Sequence, residues 1–549
     1  MCLDAIIIAD AGTDSFSGTS ALRLRIDGKI ASIQNVMRHI NHRDAPADDA
    51  RMSWSSAPKL NGLFLYSYLK RQGFDIELIN NYIADKKHFD ACAARKPKAV
   101  IISMTFIMHK KHLRDLVADI RSVLPDTYII VGGPFVYNSY LYLQRELIEP
   151  GYIPDHLKGR VLFLEVGQEP TVDLYIVSLH GEDRLVEVMD NLKNRGQGFL
   201  PKNAARLDGD TYIFSERVDD STGPAARKID WDALPDSVFS SGVVSMQASH
   251  GCPYHCAFCD HMKGPRSLYM VPLDELIADM KKVQERGVRY VWFVDDNFRL
   301  GKNDLNDVCR RMIDAKLDLR WMSFVRANTF EKVDPVLLKQ AGCVEVQLGL
   351  ESGDQEVLDN MNKQADPEMY AAVVEKLLRH GINCSCYFLF GFPGETDASV
   401  MRTRAFIKRI EFPDYDGALT WSLFPFVLSP LSPAYEQEMR TKFALKGYMQ
   451  DWEHATMNFS TATAHLIQTF MELEQSAILY RQDNQDIYLA LPPSTRKEFV
   501  RYRHACAKLS LQKKLDVQEM TERMKGILEA ESRKGTTLNI SIDKPGDTR

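Results

Sequence analysis

Short apolar segments alternate with amphipathic segments along two long stretches of this 549-residue chain. Segments 99–103 and 128–131 are almost continuously apolar, which is typical of strands that helices cover on both faces. The segments between such strands carry apolar residues at helical spacing and end at Gly or Pro, for example at Gly73 and Pro125. This alternation predicts the α/β fold class, with parallel sheets in both stretches.

The first stretch, residues 1–200, predicts a doubly wound, Rossmann-like domain. Its predicted strands cover residues 5–8, 75–79, 99–103, 128–131 and 161–164. Such sheets bind ligands in the loops at the carboxyl ends of their strands. Ser103 and Thr105 end one predicted strand, and Gly132 and Gly133 end the next, so these four residues are candidates for a ligand site.

The rest of the chain predicts three further parts. A polar linker covers residues 201–240 and includes a hairpin around Asp208-Gly209-Asp210. Residues 241–430 carry six strand–helix units, which predict a partial (β/α)6 barrel of the TIM type with its chemistry at the carboxyl ends of the strands. A C-terminal helical region follows over 431–549, and its polar tail from about residue 531 is expected to fray.

Charge and composition exclude several classes of protein. A formal net charge of −6 argues against a protein that mainly grips nucleic-acid phosphates. No secretory signal opens the chain, and the best candidate membrane span, 417–435, contains three prolines that would break a helix. We therefore expect a cytoplasmic protein with no membrane partner, whose ten cysteines are thiols or metal ligands rather than disulfides.

Three cysteines stand close together directly after the first predicted barrel strand. Cys252, Cys256 and Cys259 have the spacing C-x3-C-x2-C. Three thiolates on one short loop suit an iron–sulfur cluster, and they leave one iron of a four-iron cluster without a protein ligand. The alternative is a structural zinc site whose fourth ligand would be one of the nearby histidines, His250, His255 or His261.

This loop, with Phe258 just before its last cysteine, resembles the radical S-adenosylmethionine (SAM) superfamily, and segments at the ends of the next four predicted strands match that family in order. The resemblance implies that the cysteines hold a 4Fe-4S cluster, that its open iron binds SAM and that one electron cleaves SAM to a 5′-deoxyadenosyl radical. It also implies a set of SAM-contacting residues: Phe258, Asp295, Asp296, Arg326, Glu351, Ser352 and Gly391.

The first domain resembles the cobalamin-binding domain that precedes the barrel in one large radical SAM class. The resemblance places Ser103, Thr105, Gly132 and Gly133 near the cobalamin, and residues 165–169 resemble the acidic turn that closes the domain. The motif Asp-x-His-x-x-Gly, whose histidine ligates cobalt from below, is missing, and the nearest segment, 85–88, has the wrong spacing. The alternative is a Rossmann-like domain that binds no cobalamin.

Weaker candidates for catalytic roles lie further along the chain. Tyr448 and His454 are candidate substrate-side groups, and residues 452–457 resemble a recurring element downstream of the barrel in this class. Cys386 could face the substrate, although a small core residue is the simpler interpretation. The aromatic residues Trp421, Phe424 and Phe426 are interpreted as barrel wall.

Together these features predict a cobalamin-dependent radical SAM methyltransferase that acts on an unactivated carbon, or on phosphorus, of a small metabolite. Its expected partners are a small-molecule or peptide substrate and an electron donor such as flavodoxin or ferredoxin, with no nucleic acid. The alternatives are a 3-amino-3-carboxypropyl transferase, a cyclase or rearrangement enzyme, and a non-catalytic metal- or cofactor-binding protein. The sequence does not name the substrate, because substrate contacts come from variable loops.

Overall fold

The computed structural model describes residues 3–12, 22–40, 52–107, 109–164, 172–194, 196, 198–220, 228–260, 268–298 and 305–532. The chain forms two compact units, and each is built from two separate segments. The first unit comprises Met1–Ser15 and Pro58–Pro235. The second comprises Phe16–Ala57 and Asp236–Arg549.

The first unit is built on a seven-stranded sheet in the order β2-β1-β3-β4-β5-β6-β7, which is parallel except for its last two strands. Its strands are β1 (Ala5–Ile8), β2 (Ile76–Ile79), β3 (Ala99–Ser103), β4 (Tyr128–Gly132), β5 (Leu174–Ile176), β6 (Ala204–Asp208) and β7 (Thr211–Phe214). Its helices are Leu60–Arg71, Lys86–Ala93, Lys110–Val123, Pro134–Ile148, Asp155–Lys158 and Glu182–Asn194. This is the doubly wound architecture that the sequence predicts.

The chain changes direction across the first sheet between β1 and β3. Strand β1 pairs with β2 on one side and with β3 on the other, so the following connections run to opposite edges. A crevice forms at such a point, at the carboxyl ends of the strands. Ser103 pairs in register with Gly132, which brings both predicted ligand segments to that edge.

One predicted strand of the first unit is wrong. Residues 161–164 form a turn, and the next strand of the sheet is β5. Phe163 has a left-handed backbone (φ +70°), and its ring packs edge-on against Tyr175 and Tyr212, with centroids 5.2 and 4.9 Å apart. The segment is therefore apolar because it packs against the sheet, and a short apolar run alone does not distinguish that from a strand.

The predicted hairpin around Asp208-Gly209-Asp210 is present, but it does not belong to a linker. Its two strands, β6 and β7, continue the first sheet beyond β5. Gly209 lies at φ +60°, the left-handed conformation that a two-residue turn requires. The first part of the predicted linker 201–240 is thus an integral part of the first unit. Residues 221–227 and the acidic turn predicted at 165–169 lie outside the described residues.

The second unit contains a fully parallel seven-stranded sheet in the order β8-β9-β10-β11-β12-β13-β14. Its strands are β8 (Val243–Met246), β9 (Tyr290–Phe293), β10 (Arg320–Val325), β11 (Cys343–Glu351), β12 (Asn383–Phe390), β13 (Leu419–Pro425) and β14 (Ala477–Ile478). The helices between and after these strands are Leu273–Glu285, Leu305–Asp314, Pro335–Gln340, Gln355–Asn360, Pro367–Arg379, Asp397–Arg409, Gln437–Phe443, Phe459–Glu472, Gln485–Ala490, Pro493–Leu511 and Val517–Ser532. The six strands predicted for a partial barrel are present, and β14 adds a short seventh.

The two faces of each barrel strand have different surroundings. Along β12, Cys384, Cys386 and Phe388 alternate with Ser385 and Tyr387, so the two sets lie on opposite faces. Phe388 contacts Phe406 of helix Asp397–Arg409, with ring centroids 6.4 Å apart, which identifies its side as the outer, helix-covered face. Ser385 and Tyr387 therefore face the barrel interior.

An N-terminal segment belongs to the second unit, whereas the sequence places all of 1–200 in one domain. It contains a short hairpin, whose strands are Arg25–Ile26 and Lys29–Ile30, and helix Ile33–Ile40. The buried Asp483 carboxylate accepts a hydrogen bond from the Ile33 backbone N–H (2.9 Å) and binds Arg503 through both oxygens (2.7 and 2.9 Å). Arg503 also donates to the carbonyl of Ala31 (3.2 Å). A buried ion pair thus fixes this segment to the C-terminal helices.

The C-terminal region is mostly helical as predicted, but β14 and a second sheet also lie within it. A small antiparallel sheet interrupts it, formed by Lys446–Tyr448, Asp451–His454 and Met457–Asn458. In the described part of the chain, no helix is both long and apolar enough to cross a membrane. The predicted frayed tail lies almost wholly outside the described residues, since 533–549 are not included.

We expect Asp483→Ala to destabilise the second unit by about 3–5 kcal/mol, because it leaves the buried Arg503 guanidinium without its counter-charge. The matched control is Glu368→Ala, which removes an exposed ion pair with Arg409 (2.7 Å) and should cost less than about 1 kcal/mol. Urea unfolding followed by circular dichroism measures both. Equal shifts in the two variants would contradict the structural role given to Asp483.

Candidate active site

The loop with the three cysteines is fastened to the end of β9 at its start. Asp295 is buried, and its carboxylate accepts hydrogen bonds from the Ala248 backbone N–H (3.1 Å) and from the Ser249 hydroxyl (2.5 Å). Burial raises the pKa of Asp295 to about 7. The neighbouring Asp296 accepts from the Gly251 backbone N–H (2.8 Å). Both acids predicted to contact SAM therefore use carboxylate oxygens to accept hydrogen bonds from the cysteine loop.

The middle of the same loop is held by the segment that follows helix Gln355–Asn360. The Ala257 N–H donates to the carbonyl of Met361 (2.8 Å), and the Asn362 side chain donates to the carbonyl of His255 (2.9 Å). Within the loop, the Cys259 N–H donates to the Cys256 carbonyl (3.1 Å) and closes a tight turn. The cysteine loop is thus held at its start by the end of β9 and in its middle by the segment after helix Gln355–Asn360.

The thiols of this loop lie beside a guanidinium. Cys256 is buried, whereas Cys252 and Cys259 are partly exposed. Arg326, at the end of β10 as predicted, places Nη1 3.3 Å from the Cys256 sulfur and lies over the Tyr254 ring at 3.7 Å. Burial raises the pKa of Cys252. Iron–sulfur clusters are held by cysteine sulfurs, so a loop that offers three of them fits such a cluster.

The end of β11 carries a strained acidic residue. Glu351 has a left-handed backbone (φ +64°), and the register between β11 and β12 shifts between Gly349 and Glu351. Its carboxylate binds Lys363 Nζ (2.9 Å), which also lies over the Phe258 ring at 5.6 Å. A Cβ at Gly349 would lie 2.5 Å from a Glu351 carboxylate oxygen, so a side chain there would displace this carboxylate from Lys363. Such strain is commonly kept at ligand sites.

Ser352 has a different environment from Glu351. It is fully buried, its hydroxyl lies 2.9 Å from the Thr403 hydroxyl, and it accepts from the Asp354 N–H (3.1 Å). Its hydroxyl therefore stabilises the backbone turn that follows β11. Among the predicted SAM contacts, Phe258, Arg326 and Glu351 are the partly exposed ones that the structure brings beside the cysteines.

The end of β12 forms a turn in which Gly391 has φ +91°. A Cβ there would lie 2.5 Å from the Trp452 ring, so the turn and the small C-terminal sheet pack without space for a side chain. Glu395 is buried and accepts a hydrogen bond from the Gly391 N–H through one oxygen, and its Oε1 has no partner in the described part of the chain. Burial raises the pKa of Glu395 to about 8, so this carboxyl is neutral near pH 7.

The three weaker catalytic candidates, His454, Tyr448 and Cys386, are buried. His454 stacks on Trp452 with ring centroids 5.4 Å apart, and burial lowers its pKa to about 4. Its Nδ1 lies 3.2 Å from the hydroxyl of Thr456, which donates to the Glu395 carbonyl (2.6 Å), so His454 supports the Gly391 turn. Tyr448 is buried against Tyr435. Cys386 lies on the outer face of β12, where burial raises the pKa of its thiol.

Two residues beside the cysteines were not identified from the sequence. The Lys363 side chain forms an ion pair with Glu351, and its backbone carbonyl accepts a hydrogen bond from the Arg326 guanidinium. Tyr370, on helix Pro367–Arg379, is buried, and burial with nearby Glu351 raises the pKa of its hydroxyl. A single Lys and a single Tyr belong to no motif, and only the folding of the β11–helix connection places them at this site.

At the carboxyl edge of the first sheet, polar side chains gather around β3. The Asn61 amide donates to the Ser103 hydroxyl (2.8 Å) and to the Ala9 carbonyl (3.0 Å), and Ser103 lies 3.1 Å from the Thr105 hydroxyl. The buried Asn61 Oδ1 has no hydrogen-bond partner among the described residues. An unused buried acceptor at this edge fits a ligand that carries amide donors, as the side chains of a corrinoid do.

The glycine pair after β4 also fits a ligand edge. Gly133 has φ +109°, and a Cβ there would lie 3.1 Å from the Met104 backbone nitrogen, so the chain passes β3 at close range. The nearest candidate for a lower cobalt ligand, His88, instead lies 3.8 Å from the Glu77 carboxylate on β2. The residues of this edge therefore fit a cobalamin whose cobalt takes no ligand from His88.

Comparison with known families matches residues 246–407 to the radical SAM superfamily. An uncharacterized methyltransferase of Pyrococcus horikoshii is 24% identical over 376 residues, which cover 66% of this chain and 76% of the relative. Bacteriochlorophyllide d C-12(1)-methyltransferase of Chlorobaculum tepidum is 31% identical over 211 residues, 37% of this chain and 44% of the relative. The chain thus spans less than half the length of the second relative.

Among solved structures, the radical SAM methyltransferase TsrM of Kitasatospora setae is similar over 97% of this chain and 100% of its own, with a TM-score of 0.56 and 14% sequence identity. That structure contains a tryptophan substrate and a SAM analogue. A second TsrM structure, with a TM-score of 0.50, contains cobalamin and a [4Fe-4S] cluster. At this identity the likeness shows that the fold is shared.

We expect Glu395→Gln to remove a pH dependence of stability. The ordinary pKa of a glutamate is 4.5 and the folded-state pKa is about 8, so between these values the folded protein holds a proton that the unfolded chain releases. Wild-type stability should therefore fall as pH rises from about 5 to 8, with a slope on the order of 1 kcal/mol per pH unit. Unfolding curves at pH 5 and pH 8 should show a smaller change in the variant. An equal change in stability between pH 5 and pH 8 in the wild type and in Glu395→Gln would contradict a buried, protonated Glu395.

Proposed function

We propose that this protein, whose residues 246–407 match the radical SAM superfamily, is a cobalamin-dependent radical SAM enzyme that methylates an unactivated carbon, or phosphorus, of a small metabolite. The observation that carries the proposal is the clamped cysteine loop. Its three thiols share one edge of the parallel barrel with Arg326, the Glu351–Lys363 pair and Phe258. That edge is where barrel enzymes hold their chemistry.

Cys252, Cys256 and Cys259 would hold the cluster, and Phe258, Arg326, Glu351 and Gly391 are the residues proposed to face SAM. When bound, the cluster and SAM supply a 5′-deoxyadenosyl radical and methylcobalamin supplies the methyl group. The protein positions and shields these groups. Asp295 and Asp296 fix the loop, and Arg326 contacts the Cys256 sulfur and holds it in place. Lys363 neutralises Glu351, which keeps that carboxylate in one orientation at the strand end.

Cobalamin is proposed for the first unit, at the edge formed by Ser103, Thr105, Gly132 and Gly133. The unused acceptor of Asn61 and the close backbone approach at Gly133 support a ligand there. The cobalamin in a TsrM structure and the methyltransferase names of the two relatives favour methyl transfer. A small-molecule substrate and a flavodoxin or ferredoxin as electron donor complete the proposal.

We expect Cys256→Ala to lose cluster assembly and SAM cleavage, because the loop then offers only two thiolates. Anaerobic reconstitution of the wild type should give about four irons and four sulfides per chain, and SAM with a strong reductant should release 5′-deoxyadenosine. Cys386→Ala, on the outer face of β12, is the matched control and should keep the iron content.

The products of the same incubation separate the alternatives. A single zinc per wild-type chain would overturn the radical assignment. Methylthioadenosine in place of 5′-deoxyadenosine would identify a 3-amino-3-carboxypropyl transferase. Intact cluster assembly in Cys256→Ala would contradict the assignment of this thiol as a ligand.

We expect Gly133→Ala to lose cobalamin, because the added methyl group meets the Met104 backbone and displaces the glycine pair from the edge of the sheet. Gly151→Ala is the matched control: Gly151 also has a positive φ (+89°), but a Cβ there meets open space. The visible absorbance of copurified or reconstituted cobalamin measures the loss. Equal cobalamin content in both variants, each with native circular dichroism, would contradict this placement.

A further inference from the structure

The inner face of the barrel carries four partly exposed aromatic side chains from four strands: Trp292, Phe324, Tyr387 and Phe424. We call these the inner aromatic face. Neighbouring rings along it lie 6.4, 5.7 and 6.1 Å apart between centroids, and the last pair is stacked with 17° between the planes. The face is therefore a continuous apolar wall, and β11 contributes the hydrogen-bonding side chain of Gln347 among its rings.

One cation reaches this wall from the chain that follows β14. The Arg481 guanidinium lies over the Trp292 ring at 4.6 Å and over the Phe324 ring at 5.5 Å. Its Nη2 donates to Gln347 Oε1 (3.0 Å) and to the Tyr387 hydroxyl. These contacts fix the plane of the guanidinium, so its N–H donors are already oriented for a planar acceptor such as a carboxylate.

Two buried donors at this place have no acceptor in the described part of the chain. They are Nη1 of Arg481 and Nε1 of Trp292, the indole over which the guanidinium lies. No carboxylate of the described residues lies within ion-pair distance of Arg481, although neutralising partners are usual for a guanidinium in such surroundings. A buried donor without an acceptor costs free energy, so a ligand that supplies acceptor oxygens is favoured here.

Resting on the proposed function, we propose that Arg481 and Trp292 Nε1 are the carboxylate receptor of the barrel interior, and that the substrate is a small carboxylic acid with a planar or otherwise apolar body. Its carboxylate accepts hydrogen bonds from the two unused donors. Its body lies against the inner aromatic face, where Tyr387 and Phe424 offer stacked rings.

The charges around the receptor favour a monoanion over a phosphate dianion. Arg481 supplies one positive charge. Glu345, an acid that interacts electrostatically with Arg481, is buried, accepts a hydrogen bond from the Ser385 hydroxyl (2.7 Å), and has a pKa raised by burial. A second negative charge on the ligand would face Glu345 without a second cation, whereas a carboxylate matches one guanidinium and one indole N–H.

The test measures binding by calorimetry on the anaerobically reconstituted, full-length protein, with benzoate and phenylacetate as probes and benzamide and phenylacetamide as their uncharged counterparts. We expect the acids to bind at least tenfold more tightly than the amides. Arg481→Gln should weaken the acids at least tenfold, and Trp292→Phe, which keeps a ring and removes the N–H, about threefold. Arg310→Gln, an exposed arginine of helix Leu305–Asp314, is the matched control and should bind as the wild type does.

The proposal is overturned if neither acid binds better than its amide, or if Arg481→Gln binds both acids unchanged. Iron content and 5′-deoxyadenosine release, measured on the same samples, keep this outcome separate from the proposed function. Cluster assembly and SAM cleavage without acid binding would reject the receptor alone. Acid binding through Arg481 without cluster assembly would reject the radical chemistry alone.

Discussion

The buried carboxylate of Asp295 determines where the cysteine loop can lie. Burial opposes the ionised form of this acid, and the hydrogen bonds from Ala248 and Ser249 compensate for the lost water. Since Asp295 follows β9 and its partners follow β8, these bonds join two neighbouring strand ends. The start of the cysteine loop therefore depends on a buried carboxylate that lies outside the cysteine motif.

The parallel sheet extends that constraint to the rest of the site. All strands of the seven-stranded sheet in the second unit run in one direction, so the segments after β8, β9, β10, β11 and β12 reach the same edge. At this edge Glu351 has a left-handed backbone, and Gly391 forms a turn with a positive φ. The same alternation that turns Cys384 and Cys386 toward the helices turns Ser385 and Tyr387 toward the interior, so one strand supplies both an apolar outer face and a partly polar inner face.

Most of the fold could be predicted because its signals are local. The strands at 5–8, 99–103 and 320–325 have the predicted bounds, and the first two are short, apolar runs rich in β-branched residues. The prediction at 161–164 is wrong because burial by side-chain packing on β5 and β7 gives the same apolar pattern as burial in a sheet. The small sheet at 446–458 was missed because its short strands alternate irregularly among charged residues.

The candidate site likewise has features that could be predicted from local sequence and features that could not. The spacing of Cys252, Cys256 and Cys259 is a local property, and the order of the strand-end segments can be read along the chain. The roles of Asp295 and Ser352 as buried supports, and the positions of Lys363 and Tyr370, depend on contacts between segments that are far apart in sequence.

By itself, the sequence determined the α/β class, the parallel barrel, the cysteine motif and the family that this motif resembles, because each rests on residue type and spacing within one segment. Only the tertiary structure decided that residues 22–40 join the second unit through the Asp483–Arg503 pair, and that Arg481 lies against the inner aromatic face. Both depend on partners that are hundreds of residues apart or on different strands. Such contacts leave no periodic pattern in the chain, because they form only when the whole core has been packed.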